Sequence, residues 1–267
     1  MSNLAKYMDV EALNIDKIMD VSASNIASVN GIIFPPPTPA SKWASWNELS
    51  ESGLASDDIY VAMMENTSAA GNETGQGGGL TGADLVLTQV GSIAGATGSP
   101  PSRYVSRTGG DYFNLTTAAA TSMITGTDYT LVMKCHTITS NSSAAEFYDA
   151  GRGHMVLGYT KCAGLYCNGG GGGEVYVDCA AQPSSSGDFY LFLTSKAGKA
   201  LYAGWSLTKP TDLADIPANQ KVSTSVRNWS AGSWANRHSL AARTTAGSTT
   251  MYIYYVVLTK SEIISIP

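Results

Sequence analysis

An all-β fold, an antiparallel two-sheet sandwich with a short N-terminal arm, is what the sequence predicts, and three observations carry the prediction. From Ala83 onward, strand-forming runs recur with turn residues between them, at the spacing of a sandwich. Charged residues make up 14% of the chain, against roughly 25% in ordinary domains. Gly, Ser, Thr, Ala and Tyr are plentiful instead, a balance that suits short strands and tight turns better than long solvated helices. Two runs, 189–193 (FYLFL) and 251–258 (MYIYYVVL), are apolar on both faces, the pattern of strands at the centre of a sheet.

The chain begins with an arm, residues 1–33, that contains an internal repeat. Ile15, Ile18 and Val21 recur eleven residues later as Ile26, Val29 and Ile32. An apolar residue at every third position makes one stripe on a helical turn or a tight coil, and two such short units cannot bury a core of their own. The six side chains therefore form a candidate assembly surface that another surface must cover. Residues 34–55 form a spacer and connector. Pro35, Pro36, Pro37 and Pro39 hold its first part extended and stiff, while Trp43 and Trp46 lie at helix spacing behind Ser41, a residue able to cap a short turn.

The sandwich is expected over residues 56–267. Its first strand falls at 58–64, and the Gly-, Asn- and Thr-rich stretch 66–82 reads as loop. In the segment 129–137, Leu131, Met133 and Cys135 alternate with Thr130, Lys134 and His136, so one face should be core and the other water. The same alternation in 174–179 places Val175 and Val177 inside, with Leu191 and Val257 joining them from the central strands. Asn168 and the glycines 169–173 mark a hairpin tip; with no Lys-Ser/Thr behind them they do not make a phosphate loop. After the last strand, Thr259-Lys260-Ser261-Glu262 has the form of a capping box opening one helical turn.

The order of Gly110-Asp111-Tyr112-Phe113-Asn114-Leu115, Thr127-Asp128-Tyr129-Thr130-Leu131, Asp188-Phe189-Tyr190-Leu191 and the closing Val257-Leu258-Thr259-Lys260-Ser261-Glu262-Ile263 resembles the laminin G-like, concanavalin A-like lectin/glucanase superfamily. The likeness covers roughly residues 56–267 and implies a concanavalin A-like jelly-roll sandwich. Separately, residues 14–32 resemble a short repeat near the start of bacteriophage virion proteins, among them neck, tail-fibre and capsid-decorating components. That second resemblance implies a virion structural protein, made in the host cytoplasm, oligomeric and fastened to other virion proteins by its arm. The alternative it competes with is a carbohydrate-binding module that recognises a host-surface or extracellular glycan.

Chemistry is weakly represented. Glycosidases hold two carboxyl groups about 5–9.5 Å apart, whereas Glu174 and Asp178, four residues apart on one strand face, are separated by about 14 Å. Glu146 and Asp149 point to opposite faces of a strand, and the Glu-x-Asp-x-x-Glu motif of the related glucanases is missing. No Gly-x-Ser-x-Gly elbow occurs, and neither Cys162 nor Cys167 belongs to a recognisable catalytic arrangement. The reading is therefore not an enzyme. Cys135, Cys162, Cys167 and Cys179 lack paired zinc spacings with His136, His154 and His238, and Cys135 and Cys179 read as buried thiols.

No cofactor is expected, although the laminin G-like resemblance implies that a structural calcium ion could sit at one rim, near Asp111, Asp128, Asp149 or Asp178. Each of these also reads as a turn or cap residue. Trp205, Trp229 and Trp234 occupy loop-rich stretches and are the candidate glycan contacts, since an exposed indole face holds a sugar ring; their bland reading is core.

A net charge of −5 without any Lys/Arg cluster argues against nucleic acid, and no apolar stretch is long enough to insert in a membrane. The first thirty residues have no apolar run behind a basic start and do not read as a secretory signal. The Asn-x-Ser/Thr triplets at Asn66, Asn72, Asn114, Asn141 and Asn228 are accordingly read as chance rather than glycosylation sites.

Overall fold

The computed structural model describes residues 57–106, 111–123, 128–139, 146–149, 153–156, 163–169, 173–184, 187–224, 238–240, 250–260 and 263–267, with four short strands near the N-terminus. The chain divides into two units, Met1–Ala44 and Ser45–Pro267.

In the first unit the repeat takes a form the spacing did not predict. Strands β1 (Lys17–Ile18) and β2 (Val21–Ser22) pair antiparallel, with Ile18 opposite Val21. Strands β3 (Ser28–Val29) and β4 (Ile32–Ile33) pair in the same way, with Val29 opposite Ile32. The eleven-residue period is thus a period of two-residue ladders, not a helical stripe. Local chemistry explains the second: Asn30-Gly31 separates its partners, the dipeptide best suited to a two-residue hairpin connection. Ile15, Ile26, the proline spacer, Trp43 and Trp46 lie outside the described residues.

The second unit contains β5 (Ile59–Met63), β6 (Glu73–Gly77), β7 (Val86–Val90), β8 (Arg103–Ser106), β9 (Tyr112–Leu115), the short helix α1 (Thr117–Met123) and β10 (Tyr129–Thr139). These are followed by β11 (Glu146–Asp149), β12 (Gly153–Val156), β13 (Gly164–Gly169), β14 (Gly173–Asp178), β15 (Asp188–Ser195), β16 (Leu201–Ser206), β17 (Lys221–Thr224), β18 (His238–Leu240) and β19 (Thr250–Thr259). One antiparallel sheet runs β17-β16-β15-β10-β19-β5-β6-β7-β9-β18, with β8 also on β19. A second sheet runs β11-β12-β13-β14. β11 lies against β18, and β13 and β14 lie against β17, so the smaller sheet spans between the two ends of the larger one. The all-β, two-sheet sandwich is as the sequence predicts.

The two runs apolar on both faces become β15 and β19, on either side of β10 at the sheet's centre. Leu131, Met133 and Cys135 of β10, Leu191 of β15 and Met251, Ile253, Val256 and Leu258 of β19 enter one core with Tyr60, Leu87, Phe113, Leu165 and Trp205. On the opposite face Phe192 and Val257 are buried, as their two-faced apolar runs require, together with Val132; the departure is Thr130, expected to face water and buried there with Thr194 and Thr259. The closing segment accounts for this: Ile263, Ile264 and Ile266 are buried, and Ile266 borders a cavity of about 40 Å³ with Thr130, Thr194 and Ser195. Ser195, whose Oγ is buried without a hydrogen-bond partner, lines this cavity.

Ser265 forms a parallel bridge with Asp212, bringing in Leu213 and Ile216, which are also buried. No helix is found among the described residues after Thr259, and Glu262 of the expected capping box lies outside them. Burial of three isoleucines and pairing with 211–213 draw the chain into an extended path instead.

Two further expectations are corrected. The stretch 66–82 is not all loop, because Glu73–Gly77 forms β6. Val177 belongs to β14, the edge strand of the smaller sheet; opposite buried Leu165 it is still 37% exposed. The edge position, not the alternation, decides its environment. Val175 falls on the same strand, but its side chain is outside the described set. The glycine run is a hairpin tip as predicted, with Gly169 opposite Gly173 closing the β13–β14 ladder.

Candidate functional site

Where the closing segment ends, the outer face of the large sheet opens. β10 and β19 pair with a register shift between Lys134 and Cys135: Lys134 faces Tyr255, and Cys135 faces Ile253. Tyr254 is the extra residue of this bulge. A bulge re-aims side chains, and here Ile253 and Val256 both keep to the core while Tyr254 lies on the outer face. Its main chain stays in use, the carbonyl accepting from the Met64 amide at 2.9 Å.

Register then assembles a row across four strands. Asp188 of β15 is opposite His136 of β10, His136 is opposite Tyr252 of β19, and Tyr252 is opposite Tyr104 of β8. Strand spacing makes this row about 14 Å long. The Tyr104 and Tyr252 rings have centroids 5.2 Å apart, tilted by 58°, and the His136 ring lies 6.5 Å from Tyr252. One position inward, Lys134 lies opposite Tyr190, with its ammonium 5.1 Å from the Tyr254 ring and 5.8 Å from that of Tyr190.

Asp188 is the hub. Its Oδ1 accepts from the Tyr254 hydroxyl at 2.9 Å and lies 3.2 Å from His136 Nδ1, while its Oδ2 is 3.8 Å from Lys134 Nζ. The carboxylate side chain is 43% exposed, so it retains capacity to accept from a ligand. Burial, and next the carboxylate itself, push the Tyr254 phenol up to about 12; it therefore stays a donor. Burial likewise raises Tyr190 and Tyr255. The arrangement offers aromatic faces, one anionic acceptor and a cationic donor on a firm sheet.

β8, which carries Tyr104 outward, is fastened inward by Arg103. This guanidinium is fully buried. It donates to the carbonyls of Ala94 (2.9 Å), Gly71 (2.7 Å) and Ile93 (3.3 Å), to Gln89 Oε1 (2.6 Å) and to Glu73 Oε1 (2.9 Å). Its carbon lies 5.2 Å from the Phe113 ring centroid. Glu73 also accepts from the Glu65 and Asn66 amides at 3.2 Å. Burial pushes the Glu73 carboxyl up, opposed by Arg103 and by these amides.

The residues singled out by sequence fare unevenly. Trp205 is corrected: it is 5% exposed, packs in the main core and donates its indole N–H to the Ala181 carbonyl at 2.8 Å, so its face is not offered to a sugar. Trp229 and Trp234 lie outside the described residues. So do the side chains of the arm, where only the backbones of Ile18, Val21, Val29 and Ile32 are placed.

Asp111 accepts from the Ser92 amide at 2.8 Å and Asp128 from the Ala197 amide at 2.6 Å, which is turn chemistry. Among the described residues no group of three or more His, Cys, Asp or Glu side chains converges as a metal site. Cys135 and Cys179 are buried, and burial with Asp178 nearby pushes the Cys179 thiol up to about 12. The sequence placed Lys134 and His136 on one non-core face, but joining them to Asp188, Tyr252 and Tyr104 requires the strand order.

No family model matches the chain, and no curated protein matches it. Among solved structures it is similar to a protein of unknown function from Shewanella oneidensis MR-1, at 11% identity over 84% of this chain and 98% of that one, TM-score 0.46. A botulinum neurotoxin type C structure, described as entering cells through interaction with two ganglioside molecules, matches at 8% identity over 77% of this chain, TM-score 0.43. The present chain spans about half of that one, 48%. An alginate lyase from Klebsiella pneumoniae matches at 10% identity over 76% of this chain and 93% of its own, TM-score 0.31. These likenesses are too distant to carry an argument about site or activity.

Proposed function

We propose that this chain is a structural component of a bacteriophage virion that displays a lectin-like, glycan-recognising sandwich and is anchored to other virion proteins by its N-terminal arm. The observation that carries the reading is the division of the chain: repeated two-residue ladders in Met1–Ala44, and a separate sandwich in Ser45–Pro267. Ladders of two residues are far below what is stable alone in water, so Ile18, Val21, Val29 and Ile32, with Ile15 and Ile26, need a partner surface. Burying such side chains is worth about 1.5–3 kcal/mol each, enough to drive docking onto another subunit or capsid protein after ordering costs. The resemblance of residues 14–32 to virion-protein repeats supplies the kind of partner.

Deleting residues 1–33, or replacing Ile18 and Val29 with Asp, is expected to leave the sandwich folded and to abolish incorporation into particles, read by protein content of purified virions. Normal incorporation of either variant would refute the anchoring role. The row of exposed Asp188 with half-buried His136, Tyr252 and Tyr104 favours a second reading, a carbohydrate-binding module acting off the particle. In that case both variants bind glycan as well as the intact chain, and the protein is absent from virions.

A further inference from the structure

We infer that the row Asp188–His136–Tyr252–Tyr104, flanked by Lys134 and Tyr254, is the glycan-binding surface of this sandwich and that its ligand is a neutral oligosaccharide. The inference rests on the glycan-recognising part of the function proposed above and is independent of the anchoring part. Three features select the ligand. First, the formal charges of Lys134 and Asp188 cancel at 3.8 Å, so the face has no net field to attract a polyanion or a polycation. Second, an accepting carboxylate that is 43% exposed and a half-buried ammonium lie together. A hydroxyl both donates and accepts, so adjacent hydroxyls can meet both groups, whereas a carboxylate or sulfate on the ligand would meet Asp188 with like charge.

Third, the tilted Tyr104 and Tyr252 rings, with His136 beside them, make an aromatic floor for the apolar face of a pyranose. The polar groups stand at the opposite end of the same row. The ligand therefore lies across the strands, one ring over the tyrosines and another against Asp188, within a span of about 14 Å. Rigidity comes from below: His136 and Tyr252 are on the two central strands, and Tyr104 is set by the Arg103 clasp behind it.

The test is a glycan array followed by titration calorimetry on the purified full-length protein, with neutral, sialylated and sulfated oligosaccharides as probes. Binding to neutral oligosaccharides is expected. Tyr252→Ala should weaken it about tenfold or more, the scale of one lost ring contact, while Tyr252→Phe should retain most of the affinity. Asp188→Asn should weaken binding by at least as much, with the melting temperature of each variant measured to establish that it folds.

Binding confined to anionic glycans would overturn the ligand class, and binding unchanged by Tyr252→Ala and Asp188→Asn would overturn the site. Release of new reducing ends from the bound saccharide would overturn its assignment as a binding surface. A chain that binds neutral glycans yet is absent from virions refutes the anchoring reading alone. One that is present in virions but binds no neutral glycan refutes this inference alone.

Discussion

Removing Arg103 should be among the most damaging single changes to the sandwich, and the reason can be followed atom by atom. Arg103→Met fills much of the same volume but withdraws six contacts: the ion pair with Glu73, the four bonds to Ala94, Gly71, Ile93 and Gln89, and the packing on Phe113. The largest penalty comes from the carboxylate left behind. Glu73 is 2% exposed, and breaking a buried pair by removing one partner costs about 3–5 kcal/mol. For a domain of this size each kcal/mol moves the midpoint by about 2–4 °C, so thermal unfolding should fall by at least about 6 °C.

The pH dependence identifies the cause. Glu73 is held above its ordinary value of 4.5 in the folded state, so the folded chain takes up that proton more readily than the unfolded one. Stability linked to this group is present at low pH and is lost as pH rises from 4.5 through the raised folded value. Without Arg103 the influences that hold Glu73 down are reduced, and the folded value rises further. The deficit of Arg103→Met should therefore be largest near pH 7 and shrink toward pH 5, and the double variant Arg103→Met/Glu73→Met should recover most of the loss. Urea melts at both pH values measure this. A deficit under about 1 kcal/mol, within the range of an ordinary exposed pair, or one indifferent to pH, would refute the account.

Other consequences can be measured alongside. Leu131→Ala, at a side chain 1% exposed in the main core, should cost about 2–5 kcal/mol in denaturant melts. Gly204→Ala should cost about 1–3 kcal/mol by the same measurement, because a Cβ there would collide with the Gln220 carbonyl and the Phe192 ring; unchanged stability would mean the strands can part at no cost. Cys135 and Cys179 should resist alkylation in the native protein and label on unfolding, as mapped by mass spectrometry; rapid native labelling of Cys179 would contradict a thiol pushed up to about 12. Tyr254, pushed up to about 12 from an ordinary 10.0, should resist ionisation in ultraviolet titration of the native chain. The unfolded chain loses that proton first, so this contribution to stability is present below pH 10 and fades as pH rises from there through about 12.

The sheet's centre was legible in the sequence because both-face apolarity is a local property: 189–193 and 251–258 declare themselves without knowledge of their neighbours. What failed depended on neighbours. β6 reads Glu-Thr-Gly-Gln-Gly and has no apolar residue; it is a strand because Glu73 meets Arg103, thirty residues away, and because bare Gly75 admits the Tyr60 ring. Trp205 stands among Gly and Ser in a stretch that looks like loop. Leu201, Ala203 and Trp205 nevertheless share one face of β16 and enter the core together. Val177 follows the correct alternation but sits at an edge. In the arm, the three-residue apolar spacing read as a helical turn or a tight coil; the same spacing also describes partners flanking a two-residue connection, which is how Ile18 and Val21 pair.

The candidate site belongs to the same class of hidden information, and its origin is physical. Asp188, His136, Tyr252 and Tyr104 come from four separate stretches of the chain, and none is unusual where it stands. They become a row because β19 is ten residues long and pairs on one side with β10 and on the other with two different strands, β5 beside Val256 and β8 beside Tyr252. The bulge at Tyr254 marks the changeover. Below it, the outer face is closed over Val257 and Thr259; above it, the same face turns polar and aromatic and stays open. One inserted residue thus separates the part of the strand that holds the sandwich together from the part that can meet a ligand. Removing Tyr254 would leave Ile253 and Tyr255 adjacent and still opposite Cys135 and Lys134, so regular alternation would resume with every other residue on its present face. What would be lost is the hydroxyl that meets Asp188, so the bulge is as much a part of the site as the side chains around it.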